Sequence, residues 1–97
     1  MNENDIAEST IPTWHAFMKP LLEVMSDGRQ WPSRALKEAV CDHVGLTAEQ
    51  RAETLGQGDS RALNRVGWAL SALYRAKAVD KPARGVNVIT DFGREFL

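Results

Sequence analysis

The side chains best suited to chemistry lie at helical spacing between positions 61 and 75. Arg61, Asn64, Arg65, Trp68 and Arg75 share one side of a helical projection at about 100° per residue. Guanidinium groups can bind phosphate or guanine, an Asn amide can pair with adenine, and an indole can stack on a base or sugar. This side therefore favours contact with nucleic acid. The alternatives are a solvated surface and, for Trp68, packing against the chain or another subunit.

The opposite side of the same segment is apolar and predicts a buried face. Its members share the helical period and are Leu63, Val66, Gly67, Leu70, Leu73 and Tyr74. Glycine in a helix interior costs about 1 kcal/mol relative to alanine. For Gly67 we therefore expect the close approach of a neighbouring helix.

Two further pairs of cations could meet a phosphate backbone. Lys81 and Arg84 belong to the segment 81–85, a predicted hairpin tip that could reach a phosphate or the minor groove. Arg34 and Lys37 stand near the start of a predicted second helix, where helix-turn-helix proteins commonly touch the backbone. For both pairs the alternative is an ordinary solvated surface.

The sequence offers no catalytic set and no predicted metal or cofactor site. His15 and His43 have no second ligand at a fixed spacing and no cysteine pair nearby. Gly56-Gln57-Gly58 follows no strand and lacks the lysine of a phosphate-binding loop. Cys41 is the single cysteine, expected at a helix surface or half-buried, and it predicts a reducing, cytoplasmic setting.

Length and composition predict one soluble domain without a membrane segment. The chain has 97 residues, of which 43% are hydrophobic and 26% charged, and its acidic, polar start is unlike a signal peptide. Its net charge of −1 argues against an indiscriminate nucleic-acid binder. The charge is uneven, however, with a balance of −4 over residues 1–55 and +3 over residues 56–97. The second half is therefore locally basic.

The turn and capping residues divide the chain into a series of short elements. Ahead of the first helix we expect a disordered lead-in over 1–10. The first predicted elements are a helix from Thr13 that bends at Pro20 and ends at Gly28, a strand at 29–31, and a helix capped by Ser33 that ends at Gly45. A helix from Thr47 to about 53 and a loop at 56–60 come next. The chain then continues with a helix over 61–77, a hairpin over 79–89 and a helix from Thr90 to the end. This order predicts a mostly α winged helix-turn-helix over 11–97. In it, 61–77 is the recognition helix and 79–89 is the wing.

Several runs of residues resemble the N-terminal domain of Mrr-type restriction proteins. The resemblance covers residues 11–97, and its specific part is the Asn64–Ala69 run followed by Arg84-Gly85-Val86. The matching runs are Ile11-Pro12-Thr13-Trp14, Met18-Lys19-Pro20-Leu21-Leu22, Asp27-Gly28, Gly45-Leu46-Thr47, Asn64-Arg65-Val66-Gly67-Trp68-Ala69 and Arg84-Gly85-Val86, with Ile89-Thr90 and Gly93. The chain departs from the family pattern at Leu70, where a basic residue is common, and at Leu63 and Asn87, where aromatics are frequent.

The resemblance implies a DNA-binding domain that precedes a nuclease domain acting on modified, typically methylated, DNA. Nothing after Gly85 could supply the carboxylates and lysine of such a nuclease. We therefore expect a non-enzymatic chain whose partners are double-stranded DNA and a C-terminal nuclease domain in the full-length protein. The alternative is a winged helix that pairs with another protein or forms a homodimer, with little DNA affinity of its own.

Overall fold

The computed structural model describes residues 10–54 and 60–97. The predictions for the lead-in before residue 10 and for the loop residues up to Asp59 lie outside these ranges. Within the described parts of the chain, no helix has the length and apolar character needed to cross a membrane.

The first helical stretch is continuous but changes its winding along its length. It comprises a 3-10 turn over Trp14–Phe17, helix α1 over Met18–Val24 and a second 3-10 turn over Met25–Asp27. Pro20 is the third residue of α1, within the first helical turn, where a missing amide proton leaves no helical hydrogen bond unmade. The winding changes from 3-10 to α just before Pro20, and the bend predicted at Pro20 stays a prediction. Gly28 follows the last turn, as predicted.

The next elements form the first half of the helix-turn-helix. They are strand β1 over Trp31–Pro32, helix α2 over Ser33–Val44 and helix α3 over Ala48–Ala52. Thr47 and Gln50 form the predicted capping box. The prediction that Ser33 caps α2 is wrong, because Pro32 is the cap. The Ser33 backbone N–H and hydroxyl instead donate to the carbonyl of Gly85, at 2.9 and 3.3 Å, and so tie α2 to the hairpin turn.

A long helix, the hairpin and a short last helix complete the fold. Helix α4 spans Arg61–Arg75, β2 spans Val79–Ala83, β3 spans Val86–Ile89 and α5 spans Asp91–Arg94. Ser60 caps α4 and Thr90 caps α5, each through its hydroxyl. Helix α4 ends two residues earlier than predicted, since Lys77 takes a left-handed conformation with φ of 68°. The hairpin turn is Arg84-Gly85, because β2 continues to Ala83.

The three strands form one antiparallel sheet in the order β1-β3-β2. Trp31 pairs with Asn87, and Val79 pairs with Ile89. The predicted third strand beside the hairpin is therefore present. A helix-turn-helix followed by this hairpin confirms the mostly α, winged helix-turn-helix fold.

One apolar core lies between α1, α2, α4 and the base of the sheet. Phe17, Leu21, Leu36 and Val66 are fully buried in it. Cys41 is also fully buried, more deeply than its expected half-exposed position. Burial is the main cause that raises the pKa of the Cys41 thiol above its ordinary value.

Asn87 is a fully buried polar residue at the centre of the sheet. Its Nδ2 donates to the carbonyl of Trp31 at 3.1 Å and to the hydroxyl of Ser33 at 3.0 Å. An aromatic side chain at this position could not make these bonds. The amide therefore fixes the wing to the start of α2.

Candidate nucleic-acid interface

Helix α4 presents a buried face to the core and an exposed face away from it. The buried residues are Ala62, Val66, Ala69, Leu70 and Leu73. Of the residues predicted to be apolar and buried, Tyr74 is 45% exposed, and Leu63 and Gly67 are partly exposed. Ala62 and Ala69 lie in the buried face instead, so this face is centred further from Tyr74 than the apolar pattern predicted. Leu70 faces the core, so its position offers no place for a DNA contact.

Four residues make up the outward stripe of α4, defined here as Asn64, Trp68, Ser71 and Arg75. Trp68 is the most exposed large apolar side chain among the described residues, at 58%. Arg75 Nη1 donates to Ser71 Oγ at 2.8 Å, one turn earlier on the helix. Asn64 makes no hydrogen bond through its side chain within the described ranges. The stripe thus combines a free amide, an indole, a hydroxyl and a guanidinium group.

Arg61 and Arg65 lie beside the outward stripe, where they bind the domain's own chain. Arg61 Nε lies 2.6 Å from Glu53 Oε2, and their side chains are 32% and 28% exposed. Arg65 Nη1 donates to the carbonyls of Ile11 and Pro12, at 2.7 and 3.2 Å. These contacts arise because α3 and the segment before Trp14 pack along this side of α4. The structure therefore engages both guanidinium groups internally, and their contact with DNA stays a prediction.

Helix α2 brings two cations to the other side of the stripe. Lys37 lies over Gly67, where a methyl group added to the Gly67 Cα would stand 3.3 Å from Lys37 Nζ and 3.5 Å from Lys37 Cε. The close approach of a neighbouring helix expected at Gly67 is not found, since the nearest atoms belong to the end of the flexible Lys37 side chain. Arg34 Nε pairs with Glu38 Oε2 at 3.1 Å and remains largely exposed. No carboxylate in the described part of the chain lies within ion-pair distance of Lys37.

Two neighbouring cavities lie between α2 and α4. The larger, of about 360 Å³, is lined by Lys37, Asn64, Gly67, Trp68 and Ser71, and we call it the Trp68 cavity. The smaller, of about 220 Å³, is lined by Arg34, Lys37, Ser60, Leu63 and Asn64. Lys37 and Asn64 line both, so the two hollows are neighbours on this side of α4.

The wing adds two cations, one beside the last turn of α4 and one in the hairpin turn. Lys81 Nζ lies 4.9 Å from the centre of the Tyr74 ring, and Arg84 is exposed in the hairpin turn. The Asp80 carboxylate accepts the Lys81 backbone N–H at 2.8 Å. Lys81 and Arg84 have no ion-pair partner among residues 10–54 and 60–97. The base of the wing encloses a cavity of about 430 Å³ with Tyr74, Arg75 and Lys77 in its wall.

The nine predicted contact residues therefore separate into two groups. The structure brings Arg34 and Lys37 of α2 next to Asn64 of α4, and Lys37 next to Trp68. Arg75 lies further along the stripe, bonded to Ser71, and Lys81 and Arg84 lie on the wing. The structure turns Arg61 and Arg65 toward the chain itself. Ser71 was not predicted from the sequence, although its spacing from Asn64 and Trp68 places it in the same stripe. Within the described residues, no cluster of His, Cys, Asp and Glu could hold a metal ion.

Comparison with known proteins gives a consistent result. Over 89 residues the chain is 32% identical to the type IV methyl-directed restriction enzyme EcoKMrr of Escherichia coli (strain K12), an alignment that covers 91% of this chain and 29% of that protein. The chain thus corresponds to less than a third of the length of this relative. No solved structure is a significant match. Residues 14–97 match the family described as the Mrr N-terminal domain. Since this match takes in every element from the first 3-10 turn to α5, the chain belongs to the Mrr N-terminal domain family.

Proposed function

We propose that this domain binds double-stranded DNA through the outward stripe of α4 and the wing, and so positions a separate nuclease domain on methylated DNA. The observation that carries the proposal is the arrangement of the stripe. Cations of α2 flank it on one side, and the wing carries Lys81 beside its last turn and Arg84 in the hairpin turn. Groups suited to base edges lie between groups suited to phosphates.

The dimensions of α4 support its insertion into a groove. Fifteen residues make a helix of about 22 Å, and the major groove of B-DNA, about 12 Å wide, admits one α-helix. With the stripe in the groove, Lys37 and Arg34 would face one phosphate strand. Lys81 would face phosphates near the end of α4, and Arg84, in the hairpin turn bound by Ser33, would face phosphates near the start of α2. In helix-turn-helix proteins the recognition helix reads bases while neighbouring elements touch the backbone.

The charge distribution supports the same placement. The chain carries a net charge of −1, yet Lys37, Lys81 and Arg84 have no acidic partner in the described ranges. Their full charge is therefore available to phosphate. The relative is named a methyl-directed restriction enzyme, which supports methylated DNA as the target and cleavage by a further domain.

The test is DNA binding by the domain with and without the wing cations. Fluorescence anisotropy with a labelled duplex would compare the unaltered domain with Lys81→Ala/Arg84→Ala across a salt series. Each lost phosphate contact should flatten the slope of log K against log salt by about 0.9. The matched control is Lys19→Ala, an exposed lysine on α1 that lines none of the three cavities.

We expect weaker binding and a flatter slope for the wing variant, and an unchanged slope for the Lys19 variant. A folded domain that binds neither methylated nor unmethylated duplex at low salt would refute the proposal. Equal losses per charge removed, two in the wing variant and one in the control, would show a diffuse charge effect and not a wing contact.

A further inference from the structure

The last element of the domain exposes a compact group of large apolar side chains. Phe92, Phe96 and Leu97 are 46%, 53% and 49% exposed, and we call them the α5 patch. The two phenyl rings lie edge to face with their centres 5.2 Å apart, so they form one surface. Among the described residues, the other exposed large apolar side chains are Trp68 and Tyr74 of α4. Three of these five residues therefore lie within six consecutive positions.

Contacts from two directions hold the α5 patch in a fixed orientation. Gly93 packs against the backbone of Ala78, whose carbonyl also accepts the Thr90 backbone N–H at 3.1 Å. On the other side, Arg94 Nη1 donates to the carbonyl of Ser26 at 3.0 Å. The last residues of a domain are ordered when contacts of this kind tie them down. The three apolar side chains thus stand on a preformed surface.

The size of the α5 patch restricts what can cover it. Contiguous apolar patches of a few hundred Å² mark interaction sites. An aromatic side chain has about 150–250 Å² to bury, so two half-exposed phenyl groups and Leu97 present roughly 300 Å². A stable complex of two free proteins buries about 800 Å² on each partner. The patch is too small to hold a free partner, including a second copy of this chain. It is large enough for a tethered domain, whose effective concentration lies in the millimolar range.

We propose that the α5 patch is the docking surface for the domain that follows it in the full-length protein. The chain belongs to a family of N-terminal domains and corresponds to less than a third of the length of its relative. In a protein built in this way, the remaining chain follows α5, so the patch lies at the joint between domains. The inference rests on the proposed function for the identity of that domain as the nuclease domain.

Docking at the α5 patch fixes the angle between the nuclease domain and α4. Ala78, against which Gly93 packs, donates its backbone N–H to the carbonyl of Leu73 in α4 at 2.9 Å. The patch shares no residue with the outward stripe and lines none of the described cavities. DNA can therefore occupy the stripe while a hollow of apolar side chains on the nuclease domain covers the patch.

The test compares docking in the full-length protein with and without the α5 patch. The variant Phe92→Ser/Phe96→Ser removes both rings. The matched control Asp91→Ser/Glu95→Ser changes two exposed charged residues within the same short segment. Limited proteolysis with proteinase K measures the rate of cutting between the domains, which follows the population of the undocked form. Small-angle X-ray scattering gives the radius of gyration of the same proteins.

We expect Phe92→Ser/Phe96→Ser to be cut about tenfold faster or more, because covering two half-exposed phenyl rings strengthens docking by at least that factor. Its radius of gyration should rise, whereas the control should match the unaltered protein in both measurements. Circular dichroism checks that each protein is folded. Should the double variant prove unfolded, Leu97→Ser gives the same comparison with a smaller loss of apolar surface.

The outcomes separate this inference from the function on which it rests. Equal cutting rates and equal radii for the unaltered protein and a folded patch variant overturn the inference. A dimer of the isolated domain that Phe92→Ser/Phe96→Ser dissociates overturns it too, since the patch would then join copies of the chain. Loss of docking with DNA affinity unchanged supports it. Failure of every protein to bind DNA refutes the proposed function and leaves the docking result as measured.

Discussion

Arg65 shows how an arginine on a helix surface can serve the domain itself. Its Nη1 binds two backbone carbonyls, at Ile11 and Pro12, in the segment before Trp14. Hydrogen bonds from a charged donor contribute about 1.5–3 kcal/mol. We therefore assign Arg65 a structural share in holding the segment before Trp14 against α4.

Replacement of Arg65 tests that assignment. Arg65→Ala should lower the free energy of unfolding by about 1.5–3 kcal/mol, measured by urea denaturation. Arg84→Ala, which removes an exposed and unpaired guanidinium group, should change it by less than about 0.5 kcal/mol. Unchanged stability with a flatter salt dependence of DNA binding would instead place Arg65 among the phosphate contacts.

At this scale the sequence predicted which residue types share a helix face but not where long side chains lie. Helical spacing placed Asn64, Trp68 and Arg75 together, and the structure agrees. The same spacing grouped Arg61 with them, because a projection contains no neighbouring elements. Glu53 follows α3 directly and pairs with Arg61 through a contact that periodicity along α4 cannot reveal.

Among the elements, α5 packs closely against the start of β2 because Gly93 has no side chain. Gly93 is buried against the backbone of Ala78 just before β2, and a Cβ at Gly93 would overlap the Ala78 carbonyl oxygen. Ile89 of β3 bounds the same contact. Because backbone atoms form most of this contact, no flexible group can move aside.

Gly93→Ala should therefore destabilise the domain even though alanine favours helices. Overpacking of this kind costs about 1–3 kcal/mol or more, which exceeds the gain in helix propensity. Thermal unfolding followed by circular dichroism would show a melting temperature lower by several degrees. The melting temperature of Gly93→Ala is compared with that of Ala76→Gly, a milder change at the exposed end of α4. Gly45→Ala would not serve, because Gly45 has a left-handed backbone. An unchanged melting temperature for Gly93→Ala would mean that α5 is free to move away from β2.

The elements themselves were predictable where a capping residue or turn marks their ends. Thr47, Ser60 and Thr90 cap as their positions indicated. The errors fall where tertiary contacts decide. Ser33 does not cap α2 but binds the carbonyl of Gly85, a residue far along the chain that only the folded hairpin brings near.

For the whole molecule, the exposure of Trp68 separates a DNA-binding domain from one that pairs with a second copy of the chain. If the Trp68 cavity serves DNA, the domain should sediment as a monomer of 10.8 kDa without DNA. Trp68→Ala should leave the sedimentation coefficient unchanged, since no subunit contact is lost. A concentration-dependent dimer that Trp68→Ala dissociates would support the alternative of a protein-interaction module.

The uneven charge of the two chain halves indicated a basic region, and the fold refines it. Lys37 comes from the acidic half, yet it joins the stripe because α2 packs beside α4. Arg61 and Arg65 come from the basic half and are engaged internally. Counts along the sequence cannot make this distinction, because it depends on which carboxylates and carbonyls the fold brings near each cation.

The depth of Cys41 has a practical consequence. It is the single cysteine in the sequence, and its side chain is fully enclosed by the core. A maleimide dye applied to the folded variant Ala83→Cys would therefore attach at the exposed hairpin, with the native thiol left in place. Movement of that fluorophore into a new environment on adding a duplex would report directly where the hairpin lies on the bound molecule.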